Sequence, residues 1–460
     1  MEISPEIHAA HCSFSPVARK FLDFVAEHPE GLKRLHFTRP EAELEGQYYS
    51  YPLQSWPVYL DKKKLQEISE ATLAIPKLIK SIPERIFKWD ANKISRFYGV
   101  RNELVTGLLM APPNGIDSAM TRGDFIDGPG GFKCVEVNMG SLVGGWQIHF
   151  WEHLYRQHHL WRRFHQENGL NPMWRDPFRA LIAHIIKDSL ANGLGKDGVL
   201  NVVMVVRQEE LALTANFFAG LYADMLAEMD MGLSGVGLCA SYPGNFKEKR
   251  AVLYLDDMPV HALVEYTTKP GPDFIFRVFK AGNLTLYNGP LQDELSDKRN
   301  LVLLSEHEGS DLFTEWERSI IRRFIPWSRR LLEREADFHG ETIFLPEYLA
   351  AHRERFVIKS GGGYGGDDVH VGPCLSQEEW EVQLKKAFSH GDWLVQEYFA
   401  SHPYLFQVGD EGYDVHDMVW GLFGLGDEYG GGFLRMMPKN SGDGVINSAR
   451  GATEGLMWEI

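Results

Sequence analysis

The chain has 460 residues, enough for two or three structural units around sizeable cores. Its 47 Lys and Arg stand against 63 Asp and Glu, and the resulting net charge of -16 excludes a broad cationic surface for a nucleic-acid backbone. At 44% hydrophobic and 24% charged residues, the composition is that of a folded globular protein and excludes disorder. The four cysteines, Cys12, Cys134, Cys239 and Cys374, form no CxxC pair, which predicts reduced, buried thiols and neither a zinc site nor a disulfide framework. The opening Met1-Glu2-Ile3-Ser4-Pro5-Glu6 has neither a basic start nor an apolar run, and no later stretch nears 18 apolar residues. A soluble cytoplasmic protein with no membrane partner is expected.

In chain order, residues 1–110 read as a mostly helical segment, with periodic stretches at Ala18–Ala26 and Leu65–Ile82. Residues 111–195 begin as short apolar runs between glycines, including the strand Cys134–Asn138. Helices are predicted over about Trp146–His165 and Pro177–Ala191. Residues 196–290 read as an inserted α/β domain: a strand at Val199–Val206, a helix at about Glu209–Glu228, a strand at Val236–Ala240, and a hairpin over Ala251–Tyr266 turning at Asp256-Asp257. The last unit, 291–460, is predicted to hold a helix over Thr314–Glu335, a strand Phe356–Lys359, a glycine loop, a helix Gln377–His390, a strand Trp393–Tyr398 and a glycine-rich tail. The fold class is α/β (α+β).

Two motifs carry chemistry. The first is Arg122-Gly123-Asp124 followed by Glu136-Val137-Asn138. Residues two apart on a strand share a face, so Glu136 and Asn138 can share a cation, with Asp124 arriving from the neighbouring strand of a hairpin through Gly128–Gly131. Such hard oxygen donors suit Mg2+, and Arg122 is placed to meet anionic oxygen beside it. The alternative is an edge hairpin with solvated acids. The second motif is Lys359 at the end of a buried strand, running into Ser360-Gly361-Gly362-Gly363-Tyr364-Gly365-Gly366. Backbone N–H groups of such a loop can cradle phosphate while the lysine adds a compact charge. It is neither a GxxxxGK[ST] loop nor a dinucleotide GxGxxG turn; a plain surface loop is the alternative.

The order of these motifs resembles the circularly permuted ATP-grasp ligases, especially the glutathionylspermidine synthetase domain and eukaryotic glutathione synthetase. There too the acidic motif precedes the lysine and its glycine loop. The resemblance implies a circularly permuted ATP-grasp fold with an inserted substrate domain, and an ADP-forming ligase that joins a small carboxylate to an amine through an acyl phosphate. By the same resemblance Asp124, Glu136 and Asn138 would hold Mg2+; Arg122 and Arg435 would be catalytic contacts; and Lys298, Lys359, Gly363, Gly365, Gly366, Gln396, Glu397 and Tyr398 would bind ATP. It also implies a mobile loop over 440–452. Two departures stand out: Gly363 lies near where relatives carry a metal-binding Glu, and Ser360 follows the lysine where they carry Pro.

His149 and His153 have the spacing of a helical metal pair, but their aromatic neighbours favour packing, and Ser141 or Gln147 are weak candidates for substrate contact. No GxSxG elbow supports a serine hydrolase. The alternatives in function are a nucleotide-binding protein without turnover and a small-molecule kinase. The acid, the amine and the oligomeric state stay open, a homodimer among the options.

Overall fold

A computed structural model describes residues 3–28, 51–100, 103, 120–140, 142–269, 271–287, 292–363, 366–408, 412–439 and 441–460. Ser141, Tyr364, Gly365 and Asn440, the first residue of the 440–452 loop, lie outside them. The fold is mixed α/β.

Its largest sheet has the strands, in spatial order, Val58–Leu60, Thr453–Glu459, Glu428–Pro438, Gly412–Leu425, Met120–Gly128 and Gly131–Asn138; Tyr404–Val408 also pairs with Gly412–Leu425. All pairings are antiparallel except that of Val58–Leu60 with Thr453–Glu459, where an early strand closes the edge beside the last one. The helix Lys62–Lys80 covers one face. Asp61 caps it, accepting from the Lys64 amide at 2.8 Å, and Ile68, Ala71, Ile75, Leu78 and Ile79 form its buried stripe. It lies so close that a Cβ at Gly424 would stand 3.1 Å from the Thr72 carbonyl. The opposite face carries the candidate site.

A second sheet is wholly parallel, in the order Thr285–Tyr287, Ala262–Glu265, Val202–Val205, Gly237–Ala240, with the helix Leu211–Met229 crossing between the last two. Its Val- and Leu-rich strands are covered on both sides, as parallel strands require. The predicted hairpin over Ala251–Tyr266 is instead three strands. Val252–Leu255 and Met258–Val260 form the turn at Asp256-Asp257, and Ala262–Glu265 then leaves to join the parallel sheet.

A third sheet, antiparallel, has the order Ser328–Arg330, Trp393–Glu397, Phe356–Ser360, Val369–Val371. It has its own hydrophobic core around Trp327, Phe356, Ile358, Trp380, Trp393 and Val395, separate from the core that runs through the rest of the molecule. Ser376 and Glu379 form a capping box at the start of its helix Gln377–Phe388, whose Trp380 is fully buried.

Two predicted helices are shorter than expected. The one placed over Thr314–Glu335 spans Glu315–Phe324, because Pro326 forces Ile325 into extended backbone, and the chain continues as the strand Ser328–Arg330. The stretch Trp146–His165 breaks into a 3-10 turn, Trp146–Phe150, and the helices Glu152–Gln157 and His159–Asn168, with extended His158 between them. The cysteines differ from expectation too: Cys134 is buried, whereas Cys12 and Cys374 are exposed. Among the described residues, no helix is long and apolar enough to cross a membrane.

Candidate functional site

Register builds the first half of the site. Arg122 faces Asn138 and Asp124 faces Glu136 across the Met120–Gly128 and Gly131–Asn138 strands, so all four side chains stand on one face of the sheet. A bulge after Asp124 leaves Val135 outside the ladder. On the other flank Gly421 pairs with both Asp124 and Phe433, and Arg435 lies two residues beyond Phe433 on its strand. A residue with a side chain at 421 would strike the Phe433 ring, since its Cβ would fall 2.4 Å from that ring. The gap at Gly421 lets Phe433 lie flat and lets Arg435 reach across to Asp124.

Asp124 is the hub. Arg122 donates to it through Nε at 2.9 Å and through a terminal nitrogen at 3.1 Å, and Arg435 closes on its second oxygen at 2.8 Å. Burial opposes ionisation of Asp124, but the two guanidiniums outweigh it and hold the carboxyl below the usual carboxylate range. Arg122 also donates to the Gly144 carbonyl at 2.9 Å, and both guanidiniums lie over the Phe433 ring at 5.7 and 5.4 Å. Buried Glu454, paired in register with Arg435, adds a third carboxylate to the field of Arg122.

The second half comes from the third sheet. Lys359 is buried, donating to Gln396 Oε1 at 2.8 Å and across the gap between sheets to the Val135 carbonyl at 3.1 Å, the group that the bulge left free. Burial, with the nearby Lys298 charge, outweighs attraction to Glu136 and brings its ammonium down to about 8. Lys298 pairs with Glu136 at 3.4 Å and donates to the Gly363 carbonyl, while its own amide holds the Gly361 carbonyl at 3.0 Å. Gly366 is held from the C-terminal loop: Arg450 donates to its carbonyl at 3.0 Å, pairs with Asp367 at 3.4 Å and binds Asp443.

Arg122, Asp124, Glu136, Asn138, Lys298, Lys359, Gln396, Gly363 and Arg435 therefore gather in one place. Glu397 ends the strand next to Gln396, and Tyr398 follows it. The Glu397 carboxylate bonds His339 at 3.1 Å, and the amides of Glu397 and Tyr398 are taken by the carbonyls of Trp327 and Arg355. His149 and His153 fall in different elements, and His149 bonds Asp176 at 2.5 Å among phenylalanine rings. Gln147 sits beside Arg122 at the Gly144 turn, accepting from the Gly145 amide at 2.8 Å. Among the described residues, no three His, Cys, Asp or Glu side chains form a metal-holding cluster.

Sequence reasoning passed over four participants: Phe433, Gly421, Glu454 and the Val135 carbonyl. Phe433 carried a usable signal, because it lies two residues before Arg435 and so shares its face. Gly421 and the Val135 carbonyl depend on partners more than two hundred residues away, Asp124 and Lys359, and Glu454 depends on how the last strand registers against that of Arg435.

Where the two sheets meet, four cations (Arg122, Arg435, Lys298, Lys359) face three carboxylates (Asp124, Glu136, Glu454). The excess is cationic and enclosed, so the arrangement favours a bound anion with several oxygens. No known protein-family pattern matches the chain, and no curated protein matches its sequence. Among solved structures it is similar to a glutathione synthetase-like effector from Globodera pallida in its apo form, at 14% identity and a TM-score of 0.58, over 100% of this chain and 98% of that one. The likeness is one of fold, and it extends over all of this chain and nearly all of the other.

Proposed function

We propose that the protein is an ATP-dependent carboxylate–amine ligase with a circularly permuted ATP-grasp fold. The observation that carries this reading is the meeting of Lys359 and Lys298 with Arg122, Asp124 and Arg435 across two sheets with separate cores. That is a cleft whose cationic excess fits the phosphates of a nucleotide. The motif order and the fold likeness to a glutathione synthetase-like protein support it.

The donor set suits Mg2+ in part. Glu136 and Asn138 offer oxygens side by side, and the buried Asn138 amide nitrogen makes no hydrogen bond with a described residue, so no such bond opposes turning its oxygen to a cation. Asp124 could add a ligand only if one of its two arginines turned to an incoming anion. Bound there, Mg2+ would neutralise phosphate charge.

The chain's own residues then do the rest. Lys359 and Lys298 hold phosphate oxygens against the glycine loop, and the substrate carboxylate lies against Arg122 and Arg435. A carboxylate oxygen attacks the γ-phosphorus, the bond to the β-phosphate oxygen breaks, and ADP leaves. The arginines offset charge on the oxygens of the acyl phosphate. An amine nitrogen next attacks the acyl carbon, loses a proton, and phosphate departs as the amide forms. Arg450, joining 440–452 to the glycine loop, keeps water from the activated acyl group.

The test is ADP release from ATP and Mg2+ over a panel of small acids and amines. The reading requires ADP formation that depends on an acid and reaches full rate only with an amine. Nucleotide binding with no ADP across the panel would establish the second reading, a binding protein without turnover. One observation favours that second reading: the glycine loop has no carboxylate among its described residues until Asp367, which Arg450 already engages.

A further inference from the structure

Lys298 points into the cleft, but its neighbours Asp297 and Arg299 line a separate cavity of about 780 Å3. That volume lies within the range of small-molecule sites. Four cations border it: Lys93, Arg96, Arg299 and Arg330. Glu294, Asp297 and Asp392 border it as well. Asp297 is fully engaged by Arg299, which donates through Nε at 3.0 and 3.1 Å and through its backbone amide at 2.8 Å.

Two of the guanidiniums have capacity to spare. Among the described residues, buried Arg330 Nε has no hydrogen-bond partner, and a terminal nitrogen reaches only the Gly391 carbonyl, at 3.4 Å. Arg96, on the helix Ala91–Tyr98, makes no ion pair with a described residue. An unmet buried donor on a charged group is costly, and an oxyanion is the partner that a guanidinium satisfies best. Phe97 supplies the apolar wall: the guanidinium carbons of Arg299 and Arg330 lie 4.8 and 5.7 Å from its ring centre.

We propose that this cavity is a second anion site, distinct from the nucleotide cleft. It takes a small organic anion that sets phosphate or carboxylate oxygens against Arg96 and Arg330 and an apolar or flat body against Phe97. Gly362 borders the cavity, and Gly361 packs on Arg299, where a Cβ would fall 2.8 Å from Nε. Occupancy is therefore felt at the base of the glycine loop.

The experiment is calorimetric titration of the full chain with inorganic pyrophosphate and, separately, with citrate. It compares the unaltered protein with Lys359→Met, Arg96→Gln and Arg330→Gln. At least one of the two anions should bind Lys359→Met with the affinity of the unaltered protein, and that binding should fall at least tenfold in Arg96→Gln and in Arg330→Gln. Whichever anion binds more tightly identifies the oxyanion the site prefers. Arg96 is exposed, so Arg96→Gln decides the matter if Arg330→Gln fails to fold. Failure of both anions to bind Lys359→Met, or binding untouched by Arg96→Gln, overturns the proposal. Because Lys359→Met weakens the nucleotide cleft and touches no residue that lines this cavity, these outcomes do not depend on whether the protein is a ligase.

Discussion

Arg122, Asp124, Glu136 and Arg435 stand on neighbouring strands of one sheet, where each position is fixed by backbone pairing and the charges are locked together. Lys359 and Gln396 come from a sheet with its own core and reach the first group through one lysine bond to the Val135 carbonyl and through Lys298. The arginine side is thus preorganised by the fold, and the lysine side is docked onto it. A cleft made this way can hold transition-state charge rigidly on one wall while the other wall opens to admit nucleotide.

The contrast predicts that the two sides fail differently. Asp124→Ala should give the largest effect, since it strands two buried guanidiniums on a shared face; breaking buried pairs of this kind costs about 3–5 kcal/mol. Chemical denaturation should show that loss, with turnover abolished, and a variant as stable as the unaltered protein would mean that the arginines are held by something other than Asp124. Lys359→Met should leave stability within about 2 kcal/mol, because relief from burying an ammonium offsets two lost hydrogen bonds. Nucleotide affinity should nevertheless drop about 10- to 100-fold, the worth of a charged hydrogen bond. If Lys359→Met unfolded the protein while ATP binding in the remaining folded fraction were normal, the assignment of preorganised and docked sides would be reversed.

Titration sharpens the same difference. In the folded chain the Lys359 ammonium titrates at about 8, below its ordinary 10.5, because it is buried. The folded protein therefore releases this proton first. Below about 8 the chain bears the cost of a buried charge, and between about 8 and 10.5 that cost is relieved in the folded state alone, so this residue makes stability rise with pH in that window. Anion attraction runs the other way: nucleotide affinity should fall as pH rises through 8, and Lys359→Met should lack that fall. Affinity that is flat from pH 7 to 9 in the unaltered protein would show that Lys359 is no phosphate contact.

How much of this was legible beforehand follows the same division. The hairpin through Gly128–Gly131 and the shared face of Asp124, Glu136 and Asn138 could be read from spacing, because alternation along a strand is a local rule. The placement of Lys359 at the end of a buried strand was equally local. What sequence could not supply was long-range pairing. Nothing in Gly421 announces that it lies between Asp124 and Phe433, nor does Val135 declare that a bulge will free its carbonyl for a lysine more than two hundred residues away. The overlong helix at Thr314–Glu335 had a cause in plain view, Pro326, but the amphipathic pattern on either side of it outweighed the break.

The smallest expected effect on stability lies at the join between the glycine loop and the C-terminal loop. Arg450 is partly exposed, so its pairs with Asp367 and Asp443 are worth about 1 kcal/mol or less, and Arg450→Ala should melt close to the unaltered protein. Its consequence should appear in the chemistry instead. Arg450 also holds the Gly366 carbonyl, and Val445 packs so near Gly366 that a Cβ there would fall 2.7 Å from it, so the two loops close as one cover. Releasing that cover admits water to an activated acyl group without disturbing the arginine wall that stabilises its formation. With acid and ATP supplied but amine withheld, Arg450→Ala should therefore release ADP and phosphate faster than the unaltered protein, while the yield of amide per ADP falls when amine is present. A variant that lost ADP formation and amide formation in equal proportion would place Arg450 in phosphoryl transfer itself, and the cover would then have no part in excluding water.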